Sequence, residues 1–353
     1  MAPSIPTTMN AVDIHGGKGG IDALYINDQT AVPKPTATQA LVKVKAFGLN
    51  RMDLLQREGM YPLPPQAPST LGVEFSGTIV SFGSSEHERG FKEGDAVFGL
   101  AYGGAYAEYI AVSTHMLLHK PDELSFEAAA GIPETWITAT QALFMIGGLS
   151  DPIGSKTVQD KRVLWHAGAS GVSLSGIQLC RAEGVKEVLV TTSSQDKIDF
   201  AKSYGADAGF SYKDASKPWD QAVLEHTGGE GVDLIIDFVG APYFDGNLNA
   251  AALNGRIVSL GTMGGAKVDV PGGIDIGRFL RKRLRFEGST LRARDEAYQG
   301  KLRDILAEHA LPKFRDGSFR VPVEKVFDWK EVQEAHRMLE RNVSMGKIIC
   351  RVE

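Results

Sequence analysis

Two cysteines in 353 residues are too few for a disulfide framework or a four-thiolate zinc lobe. Cys180 falls in a helical stretch and Cys350 in a C-terminal strand pattern, so a reducing compartment is expected. No run of eighteen apolar residues occurs, which excludes a membrane-spanning helix of ordinary composition. The opening MAPSIPTTMN has no apolar core of signal-peptide length, and the final Arg351-Val352-Glu353 is not a peroxisomal address. A cytoplasmic location away from membranes is therefore expected. Nor is there a basic excess, since 38 Lys and Arg face 43 Asp and Glu for a formal net charge of -5. Nucleic acid is not an expected partner without such a field. The basic run Arg278, Arg281, Lys282, Arg283 and Arg285 is read as a solvated helix end, although it could attract an anion.

What the chain does have is glycine, 40 residues of it, with 43% hydrophobic and 23% charged residues. That composition suits an α/β enzyme of about two domains. Short apolar or alternating runs at 41–46 (LVKVKA), 77–82 (GTIVSF), 95–99 (DAVFG) and 106–112 (YAEYIAV), separated by glycine and proline, predict a compact, partly rolled β domain. From Phe126 the period turns helical, with Pro133 kinking or dividing the stretch. Strands expected at 162–166, 187–192, 209–212, 232–237, 256–260 and 285–288 then alternate with helices, the pattern of a doubly wound parallel sheet. After about Pro312 the alternation stops. A strand near 319–323, a helix over 329–341 and a strand over 347–352 predict a return to the first domain. The expected division is thus 1–133 and 312–353 around an inserted domain at 134–311.

The densest chemical signal is KRVLWHAGASGVSLSGIQLCRAE, residues 161–183. An apolar strand runs into Gly168, Ala169, Ser170, Gly171 and Val172 and then into a helix. Small residues there let a pyrophosphate approach backbone N–H groups at a helix N-terminus, where the dipole favours negative charge. The spelling departs from G-x-G-x-x-G, because Ser173 stands where a glycine usually permits close helix–strand packing. At the end of the next strand, where an NAD enzyme carries an acid for the ribose 2′-OH, the chain offers Thr192, Ser193, Ser194, Gln195 and Lys197. Hydroxyls and a cation suit a 2′-phosphate, so NADPH is the expected cofactor. An ordinary helix cap by Ser193 or Ser194 is the competing account, and Asp196 is the dissenting charge.

Six blocks carry a likeness to a known family: GLNRMDLLQREGMYPLPP (48–65), LGVEFSGTI (71–79), AAGIPETWITATQAL (129–143), HAGASGVSLSGIQL (166–179), GADAGFSYK (205–213) and EAHRMLERNVSMGKI (334–348). Over nearly its whole length the chain resembles the zinc-free, zeta-crystallin-like quinone oxidoreductases of the medium-chain dehydrogenase/reductase superfamily. The resemblance implies a GroES-like, partly rolled β-barrel catalytic domain with an inserted Rossmann domain, a cleft between them, NADPH as donor, and a homodimer or tetramer. No metal is expected. A zinc alcohol dehydrogenase would need a Cys and a Gly-His-Glu, and this chain has Asn50 and Gly72-Val73-Glu74 in those places. Reduction of an electrophilic quinone or enone, a small-molecule partner, needs no such Lewis acid.

Several side chains are candidates on the same footing. Asn50 could donate to an acceptor carbonyl, with Asp53 beside it, or both could form a strand-to-helix turn in which Asp53 caps the helix or pairs with Arg51. Tyr61 either stacks on the acceptor or is an exposed loop aromatic. By resemblance Thr138 lies near the nicotinamide, the alternative being a threonine bonded to its own helix backbone. Tyr212 is implied to join Lys197 and Ser194 at the adenosine end. The loops 261–265, with Gly261 and Met263, and 288–290, with Ser289, follow strands whose carboxyl ends face ligands in open parallel sheets. Asn342 and Lys347 lie in a block that family members fold toward the cofactor, while a lone lysine is more often a surface charge. His166 is expected to be packed, and neither it nor Asp237 is assigned as a general base. The leading function is NADPH:quinone reduction, with enone or enoyl reduction next and a crystallin-like or RNA-binding role behind them.

Overall fold

The computed structural model describes residues 5–84, 90–270 and 272–352. The chain divides into two compact units, Met1–Ile137 with Arg292–Glu353 and, inserted between those segments, Thr138–Leu291. No helix among the described residues is long and apolar enough to cross a membrane.

The first unit begins with β1 (Thr8–Ile14), β2 (Leu24–Ala31), β3 (Gln39–Gly48), α1 (Arg51–Arg57), β4 (Glu74–Phe82), β5 (Ala96–Leu100), β6 (Tyr109–Ser113), β7 (Leu117–His119), α2 (Phe126–Ala130) and α3 (Pro133–Thr140). In β3, Val42, Val44 and Ala46 are buried while Lys43 and Lys45 between them are not, so the alternation read from LVKVKA is the pleat of a half-buried strand. Pro133 opens α3 and divides the helical stretch, as its missing N–H and fixed φ favour at a first helical turn. The run at 106–112 is shorter than expected. Tyr106 and Ala107 serve other partners, the latter in an isolated bridge to Ala11, and β6 starts at Tyr109.

The second unit alternates β8 (Arg162–Trp165), α4 (Gly171–Glu183), β9 (Glu187–Thr192), α5 (Gln195–Ser203), β10 (Ala208–Ser211), α6 (Trp219–His226), β11 (Val232–Asp237), α7 (Ala241–Ala250), β12 (Ala251–Ser259), α8 (Gly277–Lys282) and β13 (Arg285–Gly288). Among the described residues these strands form one parallel sheet in the order β10-β9-β8-β11-β12-β13, the Rossmann arrangement. Central strands such as RVLW and VDLIID are buried nearly throughout because helices cover both faces. Leu164, Leu189, Ile235, Ile257, Val223 and Leu248 make its core.

The chain then returns through α9 (Glu296–Ile305), α10 (Leu311–Arg315), β14 (Val323–Asp328), α11 (Val332–Glu340) and β15 (Lys347–Arg351). The return starts at Arg292, not near Pro312 as the loss of alternation had suggested. The reason is that α9 belongs to the first unit: Ser113 donates to Glu296 at 2.9 Å, and Arg303 donates to the Leu117 carbonyl at 3.4 Å. The expected strand at 319–323 is also displaced. Phe319 packs on Trp136 and Phe314, and pairing begins only at Val323. There β14-β15-β3-β4-β5-β7 form a rolled mixed sheet, with β6 on β3, matching the GroES-like domain expected.

Candidate active site

Strand register assembles a charged cluster in the first unit. β15 runs antiparallel to β3 with Ile349 opposite Gly48, which brings Lys347 across from Asn50. On the other side Phe47 pairs with Phe75, which brings Glu74 against Gly48. Gly48 has no room for a side chain, since a Cβ would lie 2.3 Å from Glu74 Oε1 and 2.9 Å from the Ala130 carbonyl. Lys347, 3% exposed, donates to the Leu49 carbonyl at 2.7 Å, to Asn50 Oδ1 at 2.9 Å and to Glu74 Oε1 at 2.5 Å. Glu74 also accepts from Asn50 Nδ2 at 2.9 Å and from the Glu134 backbone N–H at 2.9 Å.

This corrects two expectations. Lys347 is no surface charge, and its three hydrogens are spent inside the protein, so no donor is left for a cofactor. Asn50 has one amide hydrogen committed to Glu74 and its oxygen to Lys347, which leaves a single N–H for an acceptor. Asp53 takes the capping role, its Oδ2 accepting from the Asn50 backbone N–H at 2.7 Å and from the Tyr106 hydroxyl at 3.1 Å. Its Oδ1 is buried without a hydrogen-bond partner among the described residues, and burial pushes the carboxyl up to about 6. Arg51 turns instead to the Asn342 side chain, so Asn342 is tied into this unit.

Tyr61 is half-buried beside Arg292, whose guanidinium carbon lies 5.4 Å from the ring centroid. Arg292 is 3% exposed and donates to the Tyr102 carbonyl at 2.7 Å and to Gln56 Oε1 at 2.9 Å, while its Nη2 has no hydrogen-bond partner among the described residues. Burial, then Glu134, pushes the Tyr61 phenol up, and burial, then Glu74, pushes the half-buried Glu134 carboxyl up to about 8. An open groove of about 490 Å³ borders this place, lined by Pro62 to Gln66 and Ala293. Sequence reasoning missed Glu134 and Arg292. The signal for Glu134 was present, because it is the lone charge in AAGIPETWITATQAL. Arg292 lies in a stretch that carries no motif of its own.

In the second unit Ser170 caps α4, accepting from the Ser173 N–H at 3.3 Å, and Ser173 donates from its hydroxyl to the His166 carbonyl at 2.9 Å. Ser173 thus ties the helix start to the strand end. Close packing falls to other glycines: a Cβ on Gly168 would lie 2.4 Å from Val190 Cβ, and one on Gly176 would lie 2.0 Å from the Trp165 ring. Around them Ala169 and Gly171 are buried and Val172 half-buried. Ser194 occupies the N-cap of α5 without a side-chain capping bond, and Lys197 is half-buried in the first turns of that helix. Tyr212 is 47% exposed, edge-on to Tyr243 at 6.3 Å, just past β10. Thr138 Oγ1 is buried with no hydrogen-bond partner among the described residues, its own helix backbone included. After β12 the loop containing Gly261 hooks Met263 N–H to the Phe238 carbonyl at 3.0 Å, and after β13 Ser289 N–H donates to the Ser259 carbonyl at 3.0 Å.

Behind these loops runs a buried polar chain. His166 Nδ1 meets Thr191 Oγ1 at 2.8 Å, His166 Nε2 meets Asn247 Oδ1 at 2.7 Å, and Asn247 Nδ2 donates to Asp237 Oδ2 at 3.0 Å. Burial holds His166 below its usual range, hence neutral, and Asp237 accepts the Val239 and Gly240 N–H groups. His166 is packed as expected, yet it is wired to Asp237 through a residue 81 positions away, a link no neighbouring sequence announces.

Two family models match the chain: the alcohol dehydrogenase GroES-like domain over 36–122 and the zinc-binding dehydrogenase over 171–308. A probable quinone oxidoreductase of Schizosaccharomyces pombe is 30% identical over 322 residues, covering 90% of each chain. The chain belongs to the medium-chain dehydrogenase/reductase superfamily. Mycobacterial Rv1454c complexed with NADPH is similar to this superfamily member at TM-score 0.83 and 26% identity, over 97% of this chain and all of that one. A CurF ER cyclopropanase from the curacin A biosynthetic pathway matches at TM-score 0.80 and 27% identity, over 98% and 99%. As a medium-chain dehydrogenase/reductase with quinone oxidoreductase relatives, the protein is an oxidoreductase. Despite the zinc in one model's description, no three of His, Cys, Asp and Glu converge as metal ligands among the described residues.

Proposed function

We propose that this protein is a zinc-independent, NADPH-dependent quinone reductase, with the nucleotide held by the second unit and the acceptor by the first. The carrying observation is the Lys347 ammonium bonded to Asn50 and Glu74. An amide, the Val73 isopropyl group and a carboxylate already paired with an ammonium make a poor zinc ligand set. The reaction favoured is therefore one whose acceptor is electrophilic by itself. The orphaned Thr138 hydroxyl, the tightly packed turn at Gly168 and the uncapped Ser194 fit a dinucleotide. Gly168, Ala169, Ser170, Gly171 and Val172 would cradle its pyrophosphate, Ser194, Lys197 and Tyr212 its 2′-phosphate, and Thr138, Gly261, Met263 and Ser289 its nicotinamide end. When bound, NADPH supplies a hydride. Tyr61, the remaining Asn50 N–H and Asp53 orient the acceptor and exclude water.

Metal-chelated protein should oxidise NADPH with an ortho-naphthoquinone faster than with an aliphatic enone, and faster than it oxidises NADH. Lys197→Ala should weaken NADPH more than NADH, and equal losses would sink the 2′-phosphate assignment. Reduction of a conjugated double bond is the second reading, favoured by the proton-bearing Tyr61 and Glu134 in one cluster. Turnover of the enone alone would select it. A homodimer is supported by the edge position of β13 and by exposed Phe286, Ile276 and Leu280 near it, which light scattering would test.

A further inference from the structure

Charge counting in the first unit leaves one proton to place. Three carboxyl groups, Asp53 on α1, Glu74 on β4 and Glu134 on α3, share their surroundings with two cations, Lys347 on β15 and Arg292 ahead of α9. Lys347 is spent on Glu74. Asp53 has two hydrogen-bond donors and the Arg292 charge in reach. Glu134 has neither a cation of its own nor a hydrogen-bond donor to its carboxyl among the described residues, and its backbone N–H holds the Glu74 carboxylate beside it. Like charges so placed cannot all ionise, and the unpaired one keeps its proton. The upward push of this carboxyl to about 8 is what burial and Glu74 together should cause.

We propose that Glu134 is the catalytic acid, delivering its proton to the acceptor oxygen once the hydride has arrived. This rests on the quinone-reductase function above. A quinone that takes a hydride from the reduced nicotinamide gains two electrons and one hydrogen nucleus and becomes a hydroquinone monoanion. The Glu134 O–H bond breaks, a new O–H bond forms at that anion, and neutral hydroquinone leaves. The Glu134 carboxylate regains a proton from solvent. Tyr61 is the weaker choice, because burial and Glu134 push its phenol upward and away from neutrality. The groups that face Glu134 are Glu74, Lys347, Arg292, Asp53 and Tyr61, of which the first and fourth raise its affinity for the proton and the two cations oppose them.

Glu134→Gln keeps the backbone tie to Glu74 and removes the acid, and Glu134→Asp keeps an acid. Infrared difference spectra of the cofactor-free protein, titrated from about pH 6 to about pH 10, should show a carboxylic-acid band vanishing near pH 8 in the wild type and missing in E134Q. With quinone, kcat of the wild type should fall as pH rises through that value. E134Q should lose about 10²-fold in kcat and lose this alkaline limb, with NADPH affinity unchanged. E134D should recover part of the rate. Should E134Q fail to fold, a displaced limb in E134D supports the acid and an unmoved limb overturns it. An infrared titration identical in E134Q, or quinone turnover at the wild-type rate with the limb intact, overturns the acid and leaves the quinone function standing. A wild type that turns over no quinone overturns both.

Discussion

The two units bury polar groups in opposite ways. In the first, Glu74, Lys347, Asp53 and Arg292 are each at most 3% exposed and each ionisable, and two of their atoms, Asp53 Oδ1 and Arg292 Nη2, have no hydrogen-bond partner among the described residues. In the second, Thr191, His166, Asn247 and Asp237 form a chain with a single carboxylate, and none of its atoms is orphaned among the described residues. A satisfied network rigidifies, whereas a partly satisfied one keeps capacity for a water or a ligand. The second unit's chain therefore reads as scaffold for the loops after β11 and β12. The first unit's cluster keeps two open valences among the described residues, the capacity that the proposed function draws on.

Breaking the ion pair should have the largest effect. Lys347→Met leaves Glu74 buried without its cation, and about 3–5 kcal/mol of stability should be lost in denaturant unfolding. Adding Glu74→Gln should return part of it, since the pair's worth is small beside the penalty for half of it. Asn247→Leu should be milder. It strips a partner from both His166 and Asp237, for about 1–3 kcal/mol in all. Wild-type His166 is held low, so its unfolded form binds the proton more readily. Its contribution to stability is lost as pH falls below about 6.5 and is flat above. Melting curves from about pH 7 to about pH 9 should accordingly show no change in the Asn247→Leu deficit.

The smallest effect has the opposite sign. Glu134 binds its proton more tightly folded than unfolded, so its stabilisation is full below about pH 4.5 and is lost as pH rises through about 8. E134Q has no proton to lose, and it should gain stability relative to the wild type as pH rises from about 6 to about 9. Thermal melts at both values check this. A pH-independent difference would mean that Glu134 is ionised throughout.

Much of the fold was legible because its signals are local. The alternation in LVKVKA, the apolar runs RVLW and VDLIID and the small residues 168–171 each announce their element within a few positions. The turn and strand end proposed for the cofactor rest on equally local signals, since the two are adjacent in sequence. The acceptor side does not. Lys347, Asn50 and Glu74 meet only through the register of β15, β3 and β4, and Glu134 and Arg292 belong to the two segments of the first unit that the insertion separates in sequence. Lys347 was expected at the cofactor, with a surface charge as the alternative, because nothing near it in sequence announces Glu74 as its partner. Ser173 looked like a defect because the packing role had moved to Gly176.

One measurement bears most directly on metal-free hydride delivery to a quinone: single-turnover mixing of the chelated, NADPH-loaded protein with an ortho-naphthoquinone, using cofactor deuterated at the transferred position. Quinone loss that slows with deuterium and yields hydroquinone without a radical signal is the predicted result. A rate indifferent to deuterium, accompanied by a semiquinone signal, would contradict it.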